Sequence, residues 1–372
     1  MFFWGTLSRQ RNALLTHKAI TALTSMLSAH VPLSKTRLET LCLLIVAVIS
    51  ARTVNLSHLA SERAGDVLIA STYRRLQRFF QYVALPEDWS ARLVVQLLGV
   101  SGPWYLCLDR TNWKVGKRDV NILMLAIATR RFRVPLMWTV LDKAGCSNAE
   151  ERVALMRRYL ALFGAGSIQL LLADREFIGL KWLNFLDANG IAFAIRVKAG
   201  MNVRTEDGRN LSLRSLLAKC RGARKFGAAL PSQGEVAALT LTFTARRIKG
   251  GELLIVASNV ADKNTLNAYR RRWSIECLFG DTKTRGLNLE DTRLQIAAKL
   301  SLLLAIVALA IAWTNKTASV LIGKGKLRRK SHGYYAKSWF RTGFDEVRRL
   351  LRTDPRAAVE PWLKIPKRPR VV

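Results

Sequence analysis

Four side chains near the start of the last third of the chain have types and spacing that could do chemistry together. They are Tyr269, Arg272, Glu276 and Lys283. At about 100° per residue, all four fall within an arc of about 60° around one helix axis. A solvated helix would scatter its charges, so the spacing predicts a face on which Glu276 binds a metal ion while the phenol and the two cations meet DNA phosphates.

Two aspartates that close apolar runs add further carboxylates. Asp109 follows YLCL, and Asp174 follows LLLA. A carboxylate at the end of a buried strand is costly without a partner, and that edge of an α/β sheet is where ligands bind. If the two strands are neighbours, a divalent cation would let both acids stay charged, with Glu276 completing the set. Hard oxygen ligands predict two Mg²⁺ ions, or Mn²⁺ as a substitute, as in two-metal phosphodiester cleavage.

Each of these acids also has an ordinary explanation. An aspartate after a strand often belongs to a turn or a helix cap, and Glu276 alone suits a salt bridge with Arg272. The prediction therefore depends on their combination. Other nearby carboxylates rank lower because they are expected at caps or exposed positions: Asp142, Glu150, Glu151, Glu176 and Asp187.

The charge balance points to a polyanionic partner. Lys and Arg total 60 against 26 Asp and Glu in 372 residues, which gives a formal net charge of +34. Cationic contacts release counterions condensed on nucleic acid, so double-stranded DNA is the predicted partner and lipid headgroups are a weaker alternative. The apolar runs 41–49 and 300–313 are too short to span a membrane and are expected to be buried helices.

The N-terminus and the cysteines predict a cytoplasmic protein. No basic region followed by a long apolar stretch is present at the N-terminus, so no signal peptide is expected. The cysteines are odd in number and scattered, which favours reduced thiols over disulfides or structural zinc. They are Cys42, Cys107, Cys146, Cys220 and Cys277.

Residues 1–95 are predicted to form an all-helical DNA-end-binding domain. Ser57 is expected to cap a short helix, Gly65 to make a turn, and Ser71 to begin a second helix. The pair would resemble a helix-turn-helix reader, although an ordinary amphipathic helix with solvated arginines is the alternative. The second helix carries three arginines predicted to contact DNA: Arg74, Arg75 and Arg78.

Residues 96–320 are predicted to form an α/β catalytic domain with a mixed sheet. The elements follow the order β-β-β-α-β-α-β, which matches an RNase H-like arrangement. Ser147 and Glu150 are expected to form a capping box on the first helix, and the second helix covers about 180–188. The predicted strands are 104–109, 121–129, 134–142, 168–174 and 192–198.

A β-rich insertion is predicted at about 200–262. Within it EVAALTLTFTARRI and GELLIVASN, joined by a Lys-Gly-Gly turn, predict a hairpin. Residues 321–372 are predicted to form a helical, basic C-terminal region that lies on DNA or in solvent.

The four-residue pattern resembles the Tyr-Arg-Glu-Lys signature of DDE transposases of bacterial insertion sequences. LDRTNW around Asp109 and ADREFIG around Asp174 are similar to the other two catalytic blocks of that group. The group includes the family-four insertion sequences and the transposases of the composite kanamycin- and tetracycline-resistance transposons. With STYRRLQRFF, the resemblance covers about residues 35–345.

The resemblance implies a role for each matching residue. Asp109, Asp174 and Glu276 would be the catalytic triad that binds two Mg²⁺ ions, and the other signature residues would contact phosphates at the transposon end. It also implies cut-and-paste transposition by a homodimeric synaptic complex. In these relatives, water frees a 3′-OH, which attacks the opposite strand to form a hairpin; the hairpin is then opened, and the 3′-OH joins target DNA.

The insertion departs from the pattern of these relatives. Those that form hairpins stack a Trp of the insertion on a flipped base, yet this chain has no Trp between Trp182 and Trp273. Phe226 and Phe243 are the insertion's only aromatic residues and are weak substitutes. Trp182 is expected in the core and Trp273 beside Glu276. Direct hydrolysis of both strands is therefore an alternative to the hairpin.

Two other functions compete with transposition. One is a DNA-binding repressor derived from a transposase without activity, and the other is an RNase H-like, metal-dependent nuclease that never joins strands.

Overall fold

The computed structural model describes residues 16–63, 67–129, 131–248, 250–262 and 264–365. The N-terminal segment, for which no signal peptide is predicted, and Gly65 lie outside these ranges. The strands are β1 (Trp104–Val115), β2 (Arg118–Ala128), β3 (Arg133–Leu141), β4 (Ile168–Ala173), β5 (Phe193–Arg196), β6 (Asn202–Arg204), β7 (Asn210–Ser212), β8 (Arg224–Leu230), β9 (Leu239–Arg247) and β10 (Leu253–Ser258).

Helices surround these strands and make up both ends of the described chain. They are α1 (16–27), α2 (Lys35–Ala51), α3 (Leu56–Ser61), α4 (Ile69–Tyr82), α5 (Trp89–Leu98), α6 (Ala149–Phe163), α7 (Leu180–Ala188), α8 (Leu213–Leu216), α9 (Thr265–Tyr269), α10 (Trp273–Thr282), α11 (Ala297–Ile322), α12 (Trp339–Thr353) and α13 (Pro355–Leu363).

The described strands form one ten-stranded mixed sheet. Its order is β3-β2-β1-β4-β5-β10-β9-β8-β6-β7. The first three strands pair antiparallel, whereas β4 is parallel to both β1 and β5. The predicted order β-β-β-α-β-α-β is confirmed, and this mixed α/β architecture is consistent with an RNase H-like core.

Strand β1 is longer than the sequence analysis predicts. The prediction ends it at Asp109, but it continues to Val115 and pairs with β2 along its whole length. Buried Thr111, Trp113 and Val115 alternate with exposed residues in this extension. Alternation of this kind is typical of a half-buried strand, and it was masked by the change from an apolar run to a mixed one.

The insertion continues the sheet rather than forming a separate layer. Strand β10 pairs antiparallel with β5, and the predicted hairpin is confirmed as β9 and β10, although Lys249 of its turn lies outside the described ranges. Phe243 is fully buried and stacks on Phe226, with 5.6 Å between the ring centroids. Both aromatic residues of the insertion therefore serve its packing.

The long apolar helix α11 is also more extensive than predicted. It has 26 residues and contains an 18-residue window with a mean hydropathy of 2.0, so by length and composition alone it could cross a membrane. However, 78% of its apolar window is buried inside the protein, against α2, α5, α12 and β3. Packing within the protein accounts for its composition, as in the core helix of a globular fold.

Three predicted helix starts are wrong by one or two residues. Asn148 and Glu151, rather than Ser147 and Glu150, form the capping box of α6. Helix α3 is capped by Asn55, whose Oδ1 accepts a hydrogen bond from the backbone N of Ser57 at 3.1 Å. Helix α4 begins at Ile69 instead of Ser71. In the first two cases an asparagine just upstream reaches the free N–H groups of the first turn.

The N-terminal helices pack on the C-terminal ones. Helix α2 contacts both α11 and α12, and the described residues 16–63 and 67–103 contain no strand. The predicted domain boundaries after residues 95 and 320 fall inside α5 and α11, and they stay predictions.

Candidate active site

The two predicted aspartates lie next to each other on parallel strands. Leu108 of β1 pairs with Ala173 of β4, so Asp109 and Asp174 are the next residues on each strand. The condition under which the two acids were expected to converge, that their strands are neighbours, is met. The prediction that Asp109 ends its strand is wrong, because only β4 stops at this level. Beyond Ala173 this edge of β1 is therefore open, with both carboxylates beside the opening.

The predicted single helix through the four signature residues is not continuous. Helix α9 ends at Tyr269, a 3₁₀ turn covers Arg270–Arg272, and α10 begins at Trp273. The turn is fixed on β1, where the guanidinium of Arg271 lies 3.9 Å from the ring centroid of Tyr105. Helical periodicity in the sequence cannot predict this contact, because the two residues are far apart in the chain.

Lys283 lies outside the helix, with φ −92° and ψ −136°. The chain folds back immediately after it, and a Cβ on Gly286 would lie only 2.0 Å from the carbonyl oxygen of Asp281. Lys283 pairs with Glu290 at 2.7 Å, and its Nζ donates to the Asn112 carbonyl at 3.4 Å. The expectation that it shares a helix face with Glu276 is therefore wrong; it lies along the extension of β1.

Arg272 joins two of the three candidate catalytic acids. Its guanidinium lies 3.4 Å from Asp109 Oδ2 and also forms an ion pair with Glu276. The Arg272 side chain is only 11% exposed. An arginine held this firmly neutralises the acids in the free protein, and its displacement would release them together.

Burial changes the proton affinity of two groups in this site. The pKa of Asp109 is raised to about 6, chiefly by burial, against the opposing effects of the Arg110 backbone N–H and the Arg272 charge. Burial also raises the pKa of the Tyr269 phenol. At neutral pH the phenol is protonated and Asp109 is largely ionised, so a donor and a charged acceptor lie in one site.

Three buried polar atoms of this site have no hydrogen-bond partner within the described chain. They are Asp174 Oδ1, the Tyr269 hydroxyl and Arg110 Nε. Most buried polar atoms in native proteins are hydrogen-bonded, so such atoms gathered beside charged carboxylates indicate a place for a ligand.

The acids fit a divalent cation by their chemistry but not by their present spacing. Asp109, Asp174 and Glu276 offer the hard oxygen atoms that Mg²⁺ prefers, and Asp174 Oδ1 is unpartnered. Across the described ranges, however, no three His, Cys, Asp or Glu side chains converge closely enough to hold a metal ion. Arg272 binds two of the acids, so a cation would require it to move.

Glu176 and Arg152 support the site, and neither role is predicted from the sequence. Glu176 is not at an exposed position as expected: it pairs with Arg110 at 3.4 Å, and its charge helps to raise the pKa of Asp109. Arg152 is buried and donates to the Glu176 carbonyl at 2.9 Å. It shares the buried face of α6 with Leu155, Met156 and Tyr159, and a charge in such an apolar stripe is a detectable signal.

The remaining candidates lie elsewhere or are engaged in local contacts. Arg75 donates to Thr40 Oγ1 at 2.7 Å and pairs with Glu39, whereas Arg74 and Arg78 are exposed on α4. Trp182 is fully buried as expected, while Trp273 is 62% exposed beside Arg272. The other rival carboxylates make local contacts: Asp142 with Arg118, Glu150 with Lys181, Glu151 in its cap and Asp187 with Asn259.

Comparison with known families adds one match to this geometry. Residues 101–313 match the model of a family described as a transposase DDE domain. A search of curated proteins found no match. The matched segment spans more than half of the chain and contains Asp109, Asp174 and Glu276. The chain therefore belongs to the DDE transposase-domain family.

Proposed function

We propose that this protein is a cut-and-paste DNA transposase in which Asp109, Asp174 and Glu276 are the catalytic carboxylates. The observation that carries the proposal is the pairing of β1 with β4, which sets two acids side by side within reach of the arginine that holds the third. Family membership and the net charge of +34 support DNA as the substrate.

The three acids would hold Mg²⁺, with Mn²⁺ as a substitute. When bound, two such ions activate the attacking oxygen and stabilise the leaving one in phosphodiester cleavage. Arg272 must then release Asp109 and Glu276, and a DNA phosphate is the anion that would take its guanidinium. The unpartnered Tyr269 hydroxyl is a second donor available to DNA.

We assign the protein to the Tyr-Arg-Glu-Lys group on the spacing of its signature and on these contacts. Lys283 would meet a phosphate at the transposon end from its place along β1. A homodimer synapsed on two ends, acting in the cytoplasm, completes the proposal.

End recognition is proposed for the exposed face of α4. Arg74 and Arg78 are exposed there, and Arg78 shares a groove of about 390 Å³ with Gln77, Asn55 and Arg293. Arginine and amide side chains are the groups that read base edges. Arg75 would support the helix through its contact with Glu39 rather than reach far into DNA.

The path of second-strand cleavage depends on an aromatic side chain outside the insertion. Phe243 and Phe226 stack within the insertion's packing, which leaves them poorly placed to receive a flipped base. Trp273 is 62% exposed and adjacent to Arg272. If a hairpin forms, Trp273 is the proposed stacking residue; otherwise both strands are hydrolysed directly.

The test is cleavage, in Mg²⁺, of a duplex that carries the terminal repeat flanking the gene, resolved on a denaturing gel. We expect wild type to cut at the repeat boundary, and Asp109→Asn and Glu276→Gln to bind the duplex without cutting it. Glu150→Gln, which alters an exposed ion pair with Lys181, is the matched control and should cut normally.

Two other outcomes of this experiment would favour the two alternative functions. Specific binding by wild type without a cut in Mg²⁺ or Mn²⁺ would favour the repressor. Cutting without joining of the 3′-OH to target DNA would favour the nuclease.

A further inference from the structure

A large cleft opens beside the catalytic acids, between the ends of β4 and β5 and the insertion. Its volume is about 1320 Å³. Three cations in its walls, Arg175, Lys198 and Arg214, are exposed. Throughout the described ranges, none of these three side chains makes a hydrogen bond or ion pair.

The other charged groups of the cleft already have ion-pair or hydrogen-bond partners. Arg196 forms an ion pair with Glu252, and Glu176 pairs with Arg110. Arg247 donates to the backbone carbonyls of Cys220 and Gly251, each at 3.0 Å. The three free cations therefore give the cleft an uncompensated positive charge, which suits an anionic ligand.

The cleft lies next to the candidate active site. Arg175 and Glu176 follow Asp174 directly, and the charge of Glu176 acts on Asp109. A ligand that reached the three acids and extended toward the insertion would enter this cleft. Its size exceeds that of one small anion, and Ile178, Met201 and Leu253 supply apolar wall for sugars or bases.

Of the two signature cations, Arg272 lies between the acids, whereas Lys283 lies away from the cleft. Helix α10 packs over β1, β2 and β3, and Lys283 lies along the extension of β1. The cleft instead lies toward β5 and the insertion. DNA whose scissile phosphate meets the acids would thus have one arm near Lys283 and the other in the cleft.

We propose that this cleft binds the donor DNA flanking the element, on the far side of the scissile phosphate, through contacts of Arg175, Lys198 and Arg214 with its phosphates. The assignment rests on the proposed function, which gives the transposon end to Arg272 and Lys283. Phosphate contacts position DNA without reading its sequence, so the cleft accepts any flank.

Two duplexes test the assignment. One ends at the boundary of the terminal repeat, and the other extends past it by about one helical turn, about 10 base pairs. Their affinities for the full-length protein are measured by fluorescence anisotropy over a salt series without Mg²⁺, so that binding is read whether or not the protein cuts. The cleft proposal can therefore be tested even if the protein never cuts DNA. Conversely, a protein that cuts DNA but does not bind the flank in the cleft would show normal cleavage and no selective loss of binding.

The variant combines Arg175→Gln, Lys198→Gln and Arg214→Gln. We expect it to bind the extended duplex about 10-fold more weakly and with a salt slope smaller by about three, since each phosphate contact contributes about 0.9 to the slope. Its affinity for the boundary-ended duplex should be unchanged.

The matched control removes the same charge from the exposed loop after α11, by Lys324→Gln, Lys326→Gln and Arg328→Gln. It should treat the two duplexes alike. Three results would overturn the proposal: equal losses of the cleft variant on both duplexes, no loss on either, or a control variant that shows the same selective loss.

Discussion

The aspartates in the two halves of the ten-stranded sheet lie in opposite environments. In the half that contains β1 and β4, burial raises the pKa of Asp109 to about 6, and Asp174 Oδ1 has no partner within the described chain. In the insertion, hydrogen bonds from Arg209 and Thr205 lower the pKa of Asp207 to about 2. An aspartate oxygen thus lacks a hydrogen-bond partner in one half, whereas the aspartate in the other half accepts hydrogen bonds from its neighbours.

This difference distinguishes the half of the sheet that is expected to act in catalysis from the half that supports it structurally. Leaving a buried polar atom unpaired costs about 1–3 kcal/mol, which a ligand can recover by supplying the missing partner. In the insertion, Thr244 Oγ1 is likewise buried without a partner within the described chain, but Arg247 donates to three carbonyls and the aromatic residues stack on each other. Unpartnered polar atoms that lie beside carboxylates therefore mark the half of the sheet where chemistry is expected.

Replacing one acid in each half should give the largest contrast. Asp174→Asn is expected to reduce cleavage of the repeat duplex more than about 10³-fold, because outer-shell changes alone cost about 10–100-fold at metal sites. Asp207→Asn in the insertion should leave the rate unchanged. Single-turnover rates on the same duplex provide the measurement, and a comparable loss in both variants would erase the functional distinction between the halves.

Replacing one arginine in each half should change stability unequally. Arg152→Met leaves the Glu176 carbonyl and Ser147 without a buried donor and is expected to lower the free energy of unfolding by about 2–4 kcal/mol. Arg209→Met, at an exposed pair, should produce no measurable change. Urea unfolding of both variants checks this, and equal midpoints would show that Arg152 is not a structural anchor.

The elevated pKa of Asp109 predicts a pH dependence of stability. The unfolded chain ionises this group near 3.8, whereas the folded protein keeps it protonated up to about 6. Between these values unfolding releases a proton, so the free energy of unfolding falls as pH rises, by at most about 3 kcal/mol for the full shift. Asp109→Asn lacks this contribution and should become progressively more stable than wild type from about pH 4 to about pH 6. Parallel pH profiles of the two proteins, from urea unfolding, would contradict the assigned cause.

Local patterns were enough to predict the order of the strands along the chain and the two aspartates that follow apolar runs. Apolar runs predicted β1, β4 and the hairpin of the insertion, whereas Asp109 and Asp174 were expected to converge only on the condition that their strands are neighbours. These features depend on periodicity within short segments and on general rules for α/β sheets.

What the sequence did not reveal depends on contacts between distant segments. The 3₁₀ turn at Arg270–Arg272 is fixed by Arg271 on Tyr105, and the fold-back after Lys283 needs Gly286 against Asp281. No helical period contains either constraint. Arg152 was detectable as a charge on an apolar face, but its partner Glu176 follows from packing alone.

The smallest expected effects concern one aromatic residue on each side of the comparison. Trp273 is 62% exposed, so Trp273→Ala should change the free energy of unfolding by no more than about 0.5 kcal/mol. If it stacks on a flipped base, the same variant should reduce the yield of hairpin ends about 5-fold or more, since stacking is worth about 1–3 kcal/mol per base.

Phe226→Leu should behave in reverse, with a stability loss of about 1 kcal/mol and an unchanged ratio of hairpin to open ends, because Phe226 packs on Phe243. Gel quantification of hairpin and open ends, beside urea unfolding of each variant, separates the two roles. A hairpin yield that falls with Phe226→Leu but not with Trp273→Ala would show that base stacking is done by the insertion rather than by Trp273.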